Sequence, residues 1–133
     1  MSSLPEYVLD SGALIALERA DPRMTDLLMQ VRRGQARLVL PDAVLAQVWR
    51  GGRGRQARTA ALLGLKPEQC VKVPLDTESA KRIGVRIGES GHADVVDVQV
   101  ATLGEELRAA VITSDREDIL RVSAELKERV IEI

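Results

Sequence analysis

The sequence predicts an α/β domain in which helices flank a central, mainly parallel sheet. Short valine- and leucine-rich segments typical of buried strands alternate along the chain with segments whose apolar residues recur at helical spacing. Five strand-like and seven helix-like segments follow one another without an internal repeat or a long polar linker. This alternation favours a parallel sheet, because parallel neighbours need a crossover connection that is usually a helix.

Length and composition predict one globular domain spanning residues 1–133. Hydrophobic residues make up 45% of the chain and charged residues 29%, which excludes a disordered or fibrous class. Cys70 is the only cysteine, so no internal disulfide can form, and we expect a buried thiol in a cytoplasmic protein. No apolar run approaches the roughly 18 residues of a membrane span, so we expect no membrane association.

Each predicted strand is a short run rich in valine, isoleucine and leucine, bounded by polar or turn-forming residues. Acidic residues stand at the carboxyl ends of two of these runs, because the first ends at Asp10 and Asp115 follows the fourth. The predicted strands are residues 6–10, 37–41, 70–75, 109–114 and 129–133.

The predicted helices have recognisable start and stop residues. Asp21 stands before a proline, which is a helix-start signal, and Gly34 is expected to end the helix that follows. Asp42 and Asp76 are the expected N-caps of two later helices, because aspartate side chains accept hydrogen bonds from free backbone N–H groups. The predicted helices are residues 11–20, 23–33, 42–50, 55–65, 76–90, 92–104 and 116–126.

The segment HADVVDVQVATLG, residues 92–104, is compatible with two kinds of element. Its valines alternate with other residues, as they would in an edge strand. Apolar residues also recur at i, i+4, i+7 and i+11 from Val96, and the alternation is lost in the following GEELR. We therefore predict a helix here and keep the edge strand as the alternative.

On that helix, Asp94 and Asp97 lie about 60° apart on one side, since three residues advance an α-helix by roughly 300°. Ala101 and Gly104 are small, and we expect them to leave open space around the Asp97 carboxylate. The segment thus has the features of a site, although an acid before a helix is more often a plain N-cap.

Four carboxylates are predicted to converge on one pocket. Ligands of open α/β sheets bind outside the carboxyl ends of the strands, where Asp10 and Asp115 fall. If Asp94 and Asp97 begin the helix before the fourth strand, they join the same pocket. Like charges repel in a partly dry cleft, so hard divalent ions with oxygen ligands, Mg²⁺ or Mn²⁺, are the natural partners.

A basic segment complements these acids. Residues 1–66 carry ten Lys and Arg against six Asp and Glu, whereas residues 67–133 carry nine against fourteen. The segment RGGRGRQAR contains no acid and has glycines that let a ligand approach the backbone, which suits phosphate contact. The alternatives are a solvated basic turn or a patch that pairs with an acidic protein. Its candidate phosphate-binding residues are Arg50, Arg53, Arg55 and Arg58.

Four stretches in order, YVLDSGALIALE, LPDAVLAQVWRGG, ADVVDVQVATLG and VITSDREDI, together resemble the PIN domain, particularly the VapC-type toxin ribonucleases of bacterial toxin–antitoxin systems. The resemblance covers essentially the whole chain. It implies a PIN-like α/β/α sandwich that binds Mg²⁺ or Mn²⁺ and hydrolyses RNA phosphodiester bonds. Asp10, Asp97 and Asp115 match the family's acids, and Asp94 is similar to an added acid in part of the family. All four are thus candidate catalytic residues and metal ligands.

The resemblance also implies an RNA substrate, a small antitoxin protein as partner, and a homodimer. One position departs from the family, since Gln47 in LAQVWR stands where members usually have glutamate. A carboxamide can accept a hydrogen bond or ligate a metal but carries no charge, so Gln47 is assigned to substrate binding. Asp94 is expected to supply the missing charge. The alternative function is a catalytically weakened PIN-like module that binds RNA or protein.

Two further residues near the acids are expected to lie on the surface. His92 is the only histidine, and Asp118 is a candidate helper behind the metal ligands for which a surface position is preferred. Other folds with acids at strand ends fit less well. A phosphorelay receiver needs adjacent acids after the first strand and a lysine ending the last. A haloacid-dehalogenase-like phosphatase needs a second aspartate where Gly12 stands.

Overall fold

The computed structural model describes residues 4–51 and 54–133. Its strands form one five-stranded sheet in the order β3-β2-β1-β4-β5, and every pair of neighbours is parallel. The sheet is therefore wholly parallel, as the alternation of strands and helices predicts. The strands are β1 (Glu6–Leu9), β2 (Arg37–Pro41), β3 (Cys70–Val73), β4 (Ala110–Thr113) and β5 (Val130–Glu132).

The helices pack in two groups, which makes the fold an α/β/α sandwich. In one group α1 contacts α2, α3 and α4, and in the other α6 contacts α5 and α7. A 3₁₀ helix, Ala124–Leu126, follows α7. The α-helices within the described residues are α1 (Ser11–Glu18), α2 (Pro22–Arg32), α3 (Asp42–Val48), α4 (Ala57–Leu63), α5 (Thr77–Ser90), α6 (Val95–Leu107) and α7 (Arg116–Val122).

The core follows the central strands. β1 lies between β2 and β4, with Tyr7 opposite Leu38 and Leu9 opposite Ile112. Because helices cover both faces, a central strand of such a sheet is apolar along its whole length rather than at alternate positions. Val8 and Leu9, whose side chains point to opposite faces, are accordingly both fully buried.

Three of the four residues predicted to begin or end helices are confirmed. The Asp21 and Asp76 side chains accept hydrogen bonds from Arg23 N and Ser79 N, and Gly34 ends α2 in a left-handed conformation with φ +75°. The prediction for Asp42 is wrong, because Pro41 occupies the N-cap position and Asp42 is the first helical residue.

Several helices are shorter than predicted, among them α3 and α7. α3 ends at Val48, and Trp49 is already extended with ψ 125°. The segment predicted as one helix over residues 116–126 breaks at Ser123, whose φ of −144° and ψ of 97° separate α7 from the 3₁₀ helix. Both differences lie at helix ends, where periodicity defines boundaries least well.

The helical interpretation of residues 92–104 is confirmed by α6, which begins at Val95. The expectation that Gly104 leaves space beside Asp97 is wrong. A Cβ built on Gly104 would lie 2.8 Å from Val111 Cγ2 and 3.3 Å from the Leu126 methyl carbons, so the glycine lets α6 pack closely on β4 and the 3₁₀ helix.

Cys70 is buried, as expected, on β3 opposite Leu38. Burial raises the pKa of its thiol to about 11, so the group stays neutral and serves as a small apolar core residue. None of the helices in the described parts of the chain is long and apolar enough to span a membrane.

Candidate active site

The candidate site lies where the chain changes direction across the sheet. From β1 the chain moves outward to β2 and β3, and it then crosses to β4 on the other side of β1. A switch point of this kind is where open α/β sheets bind ligands. Asp10 follows β1 and Asp115 comes two residues after β4, so the parallel pairing of these strands brings both acids to the switch point.

Asp10 is held rigidly at this edge. It is only 5% exposed, and its backbone N–H continues the strand ladder by donating to Ile112 O at 3.0 Å. One carboxylate oxygen accepts a hydrogen bond from Ser11 N at 2.8 Å, and the other accepts from the Thr113 hydroxyl at 2.7 Å. These three hydrogen bonds fix the position and direction of the Asp10 carboxylate.

Thr113 joins the two strand-end acids. Its buried hydroxyl oxygen donates to Asp10 and accepts from Asp115 N at 3.0 Å. The sequence reasoning missed this residue. The signal that could have found it is a hydroxyl at the last position of an otherwise apolar strand, two residues before an acid.

The first turn of α6 supplies two acids with different surroundings. Asp94 is the N-cap, and its Oδ1 accepts from Asp97 N at 3.0 Å. The Asp97 carboxylate caps no helix, and its Oδ2 lies 2.8 Å from His92 Nε2. Asp10 and Asp115 also accept capping hydrogen bonds. Capping and ligand binding are compatible, since an ionised carboxylate has about four acceptor sites.

Electrostatics place Asp97 within the group of acids. Burial raises the pKa of its carboxyl above the usual range, the hydrogen bond from His92 opposes this shift, and the negative charges of Asp94, Asp10 and Asp118 raise the pKa further. Acids from β1, α6 and α7 therefore act on the same carboxyl group.

Asp118 lies closer to the acids than expected. Its backbone N–H donates to Asp115 Oδ1 at 3.2 Å, and partial desolvation together with the Asp115 carboxylate raises the pKa of its side chain. One ligand atom from each of His92, Asp97 and Asp118 lies within 4.8 Å of the other two. The preference for a surface position is wrong only in part, because 31% of the side chain is exposed while α7, which begins at the switch point, turns it towards α6.

The surface position expected for His92 is also wrong. The side chains of His92 and Asp97 are 15% and 16% exposed, and their facing atoms are within hydrogen-bonding distance. Gly91 ends α5 in a left-handed conformation with φ 72°, which turns the chain so that His92 lies beside the first turn of α6. The contact depends on this turn and is invisible to helical periodicity.

The donor set fits a hard divalent cation. Arg121 reaches Asp118 at 3.4 Å from a largely exposed position. The negative charges of the site's carboxylates repel one another, and a bound divalent cation would offset that repulsion. Within the described ranges, no lysine or arginine forms an ion pair with Asp10, Asp94, Asp97 or Asp115.

Gly12 allows α1 to approach the connection between β4 and α7. A Cβ built on this residue would lie 2.6 Å from Ser114 Cβ and 2.8 Å from Ser114 N, which is closer than carbon atoms can pack. Ser114 lies between Thr113 and Asp115, so the glycine sets the distance between the Asp10 and Asp115 segments. The sequence reasoning used Gly12 only to exclude another fold and missed this role.

Gln47 lies exposed near the end of α3. Across residues 4–51 and 54–133, no hydrogen bond joins its carboxamide to Asp10, Asp94, Asp97, Asp115 or Asp118.

Two of the predicted RNA-binding arginines contact backbone carbonyl groups. The Arg50 guanidinium donates to Trp49 O at 2.9 Å, and the Arg58 guanidinium donates to Glu18 O at 3.1 Å. Arg55 is exposed and lines a cavity of about 170 Å³ between α1, α3 and α4. Arg53 lies outside the described residues.

Glu18 fixes the start of α4 on α1. Its two carboxylate oxygens accept hydrogen bonds from Arg58 N at 3.2 Å and Thr59 N at 2.7 Å. Partial burial raises the pKa of Glu18, but these hydrogen bonds lower it by more, so the carboxyl stays ionised more readily than usual. An acid 40 residues away thus does the work of an N-cap for the helix that follows the basic segment.

The fold is shared with solved structures of low sequence identity. VapBC2 from Rickettsia felis, bound to a DNA fragment from their promoter, is similar with a TM-score of 0.62 and 12% identity, over 89% of this chain and 93% of that one. PAE2754 from Pyrobaculum aerophilum is similar with a TM-score of 0.55 and 18% identity, over 96% and 89%. No curated protein sequence is significantly similar to the chain.

The sequence also matches a family model directly. The model of the PIN domain aligns with residues 7–125, a range that begins within β1 and includes every acid of the candidate site. The match covers far more than half of the chain, and the parallel sheet and its flanking helices agree with it. The chain belongs to the PIN domain family.

Proposed function

We propose that this chain is a metal-dependent endoribonuclease that hydrolyses phosphodiester bonds in RNA. The observation that carries the proposal is the convergence of carboxylates from three segments at the topological switch point, with little compensation by protein cations. PIN domains are generally nucleases, so membership of the family supports hydrolysis. Mg²⁺ or Mn²⁺ is the cofactor that the oxygen-rich donor set favours.

In this proposal the chain's own residues orient the ligands. A bound divalent ion would lower the pKa of a coordinated water and stabilise the charge on the scissile phosphate. Asp10 and Asp97 would hold the ion, with Asp115 and Asp94 completing the acidic rim. Thr113 fixes the direction of the Asp10 carboxylate, so the donors are positioned before substrate arrives.

Incubation of the purified protein with a mixed RNA pool tests the nuclease proposal. We expect fragments in the presence of Mn²⁺ or Mg²⁺ and none after EDTA. EDTA should also lower the melting temperature of the metal-loaded protein, because an ion that binds only the native state stabilises it. Intact RNA with either ion, together with an unchanged melting temperature, would contradict a carboxylate metal site.

We also propose that the protein is the toxin of a toxin–antitoxin pair and acts in the cytoplasm, as a homodimer, with a small antitoxin as partner. The resemblance of its four motifs to VapC-type toxins supports this, and the fold it shares with VapBC2 is compatible with it. A small reading frame beside the gene, whose product co-purifies with this chain and stops RNA cleavage, is the expected finding.

The second candidate function is a PIN-like module that binds RNA or protein without cleaving. The observation that favours it is the uncharged Gln47 at a position where the family usually carries an acid. The measurable difference between the two candidates is cleavage, because only the nuclease converts RNA into fragments.

Gln47→Glu separates the two functions. The added carboxylate should raise metal affinity by about tenfold and increase cleavage, because it adds charge to an oxygen-donor site. Titration calorimetry and the RNA assay measure both effects. Gln30→Glu, an exposed change on α2, is the matched control and should alter neither. If the variant cleaves RNA and the native chain does not, the natural protein is a binding module.

Arg55→Ala tests the basic segment. If Arg55 contacts a phosphate, its removal should weaken RNA binding and reduce the salt slope by about one unit. Arg55 forms no hydrogen bond or ion pair within the described residues, so stability should not change. Arg32→Ala, an exposed arginine on α2, is the control. Equal effects of both variants on binding would assign Arg55 to the solvated surface.

A further inference from the structure

The strongest observation outside the predicted acids concerns the only histidine. His92 Nε2 lies 2.8 Å from Asp97 Oδ2, and both side chains are largely shielded from solvent. Asp118 reaches the same place from α7, with one ligand atom within 4.8 Å of the donors on both partners. The α5–α6 connection, the first turn of α6 and the first turn of α7 thus present two carboxylates and one imidazole to a common point.

These distances fit the edges of one coordination polyhedron. With metal–ligand bonds of about 2.1 Å, neighbouring octahedral ligands lie about 3 Å apart and opposite ones about 4.2 Å apart. The separation of 2.8 Å between His92 and Asp97 is close to the first value. All three donors lie within 4.8 Å of one another, a spacing that is compatible with ligands of one ion.

We propose that His92 supplies an imidazole nitrogen ligand to the cation site, together with carboxylate oxygens of Asp97 and Asp118. The inference rests on the proposed metal-dependent function and adds His92 and Asp118 to the Asp10 and Asp97 carboxylates proposed there to hold the ion. It also gives a role to the two donors, His92 and Asp118, that lie beside Asp97.

A nitrogen ligand changes which ions the site prefers. Mg²⁺ takes oxygen ligands almost exclusively, whereas imidazole suits transition metals, and their affinities rise from Mn²⁺ through Co²⁺. The site should therefore bind Mn²⁺ and Co²⁺ more tightly than Mg²⁺. Replacement of His92 should remove most of that difference and leave Mg²⁺ binding nearly unchanged.

Pulsed electron paramagnetic resonance of Mn²⁺-loaded, untagged protein tests the ligand directly. Because His92 is the only histidine, an imidazole ¹⁴N coupling to bound Mn²⁺ can come only from this residue. We expect the coupling in the native protein and its loss in His92→Gln, with about tenfold weaker Mn²⁺ binding. The native spectrum alone decides the point, even if the variant folds poorly.

Asp118→Asn provides the second measurement. It should weaken Mn²⁺ binding in calorimetry by about tenfold. Glu117→Gln removes the same charge from an exposed neighbouring position on α7 and should have little effect. An equal loss in both variants would show that α7 contributes only to the general electrostatic field and would overturn the ligand set.

The outcomes separate this inference from the proposed function. The native protein could bind Mn²⁺ without a ¹⁴N coupling, and Asp97→Asn could lose that binding. His92 would then only donate a hydrogen bond to Asp97. The inference would then be wrong while the nuclease proposal stands. A native protein that binds neither Mn²⁺ nor Mg²⁺ would contradict both.

Discussion

Asp97→Asn is expected to abolish RNA cleavage while the apo protein melts at the same or a higher temperature. The substitution removes a carboxylate whose ionised form is disfavoured by burial and by the negative charges of Asp94, Asp10 and Asp118. Loss of this carboxylate should weaken binding of Mn²⁺ by at least about tenfold, as is expected for His92→Gln and Asp118→Asn. Calorimetry, thermal melting and the RNA assay measure the three quantities.

The sign of the stability change follows from the pKa shift. A carboxyl whose pKa is raised on folding favours the folded state less as pH rises through the interval between its unfolded and folded pKa values. Above that interval the ionised Asp97 therefore opposes folding, and a neutral amide of the same shape does not. The amide oxygen can still accept a hydrogen bond from His92.

Two further variants sharpen the Asp97 experiment. Asp94→Asn should reduce activity less severely, because asparagine is an equally good N-cap and one Asp94 oxygen already accepts a hydrogen bond from Asp97 N. Glu117→Gln controls for loss of an acid outside the site. If Asp97→Asn instead lowers the melting temperature and leaves metal binding intact, the carboxylate is structural and the mechanism is wrong.

Gly12→Ala is expected to destabilise the fold by about 1–3 kcal/mol and to reduce cleavage with it. The new methyl group would overlap Ser114 Cβ and Ser114 N, which belong to the segment between Thr113 and Asp115. Relief of the overlap must move α1 away from this segment and so separate Asp10 from Asp115. Chemical denaturation and the RNA assay measure the two losses.

The glycines of α5 give a matched control for this change. Gly84 lies in the middle of that helix with open space around its Cα, so Gly84→Ala should stabilise the protein by about 0.5–1 kcal/mol. Glycine to alanine is thus expected to lower the free energy of unfolding at position 12 and to raise it at position 84. Ser114→Gly combined with Gly12→Ala should recover part of the loss, because it removes Ser114 Cβ but not the backbone nitrogen. A Gly12→Ala protein of native stability and activity would exclude the close approach.

The sequence predicted the fold well because the fold depends on patterns that each segment carries within itself. Apolar runs marked all five strands, and i, i+4 periodicity outweighed valine alternation to identify α6. Asp21 and Asp76 were found as caps because capping involves residues two or three positions apart. The prediction for Asp42 is wrong because Pro41 occupies the N-cap position. An acid that follows a proline can be either the N-cap or the first residue of the helix, and the sequence does not distinguish the two.

The placement of Asp10 and Asp115 could likewise be anticipated from their positions at the ends of strands, since parallel pairing brings strand ends to one edge of a sheet. Whether Asp10, Asp94, Asp97 and Asp115 act as ligands is a separate matter that the proposed experiments address. The roles proposed for Arg50 and Arg58 could not be judged from the sequence, because their contacts to Trp49 and Glu18 require the packing of α3 and α4.

The sequence by itself determined the order of strands and helices, the parallel sheet and the acids at its carboxyl edge. Only the tertiary structure placed His92 against Asp97, joined Asp10 to Asp115 through Thr113, and pressed Gly12 against Ser114. The physical reason is the range of the interactions. Periodicity and capping act within a few residues, whereas Thr113 and Asp10 stand 103 residues apart and meet only because β1 and β4 pair.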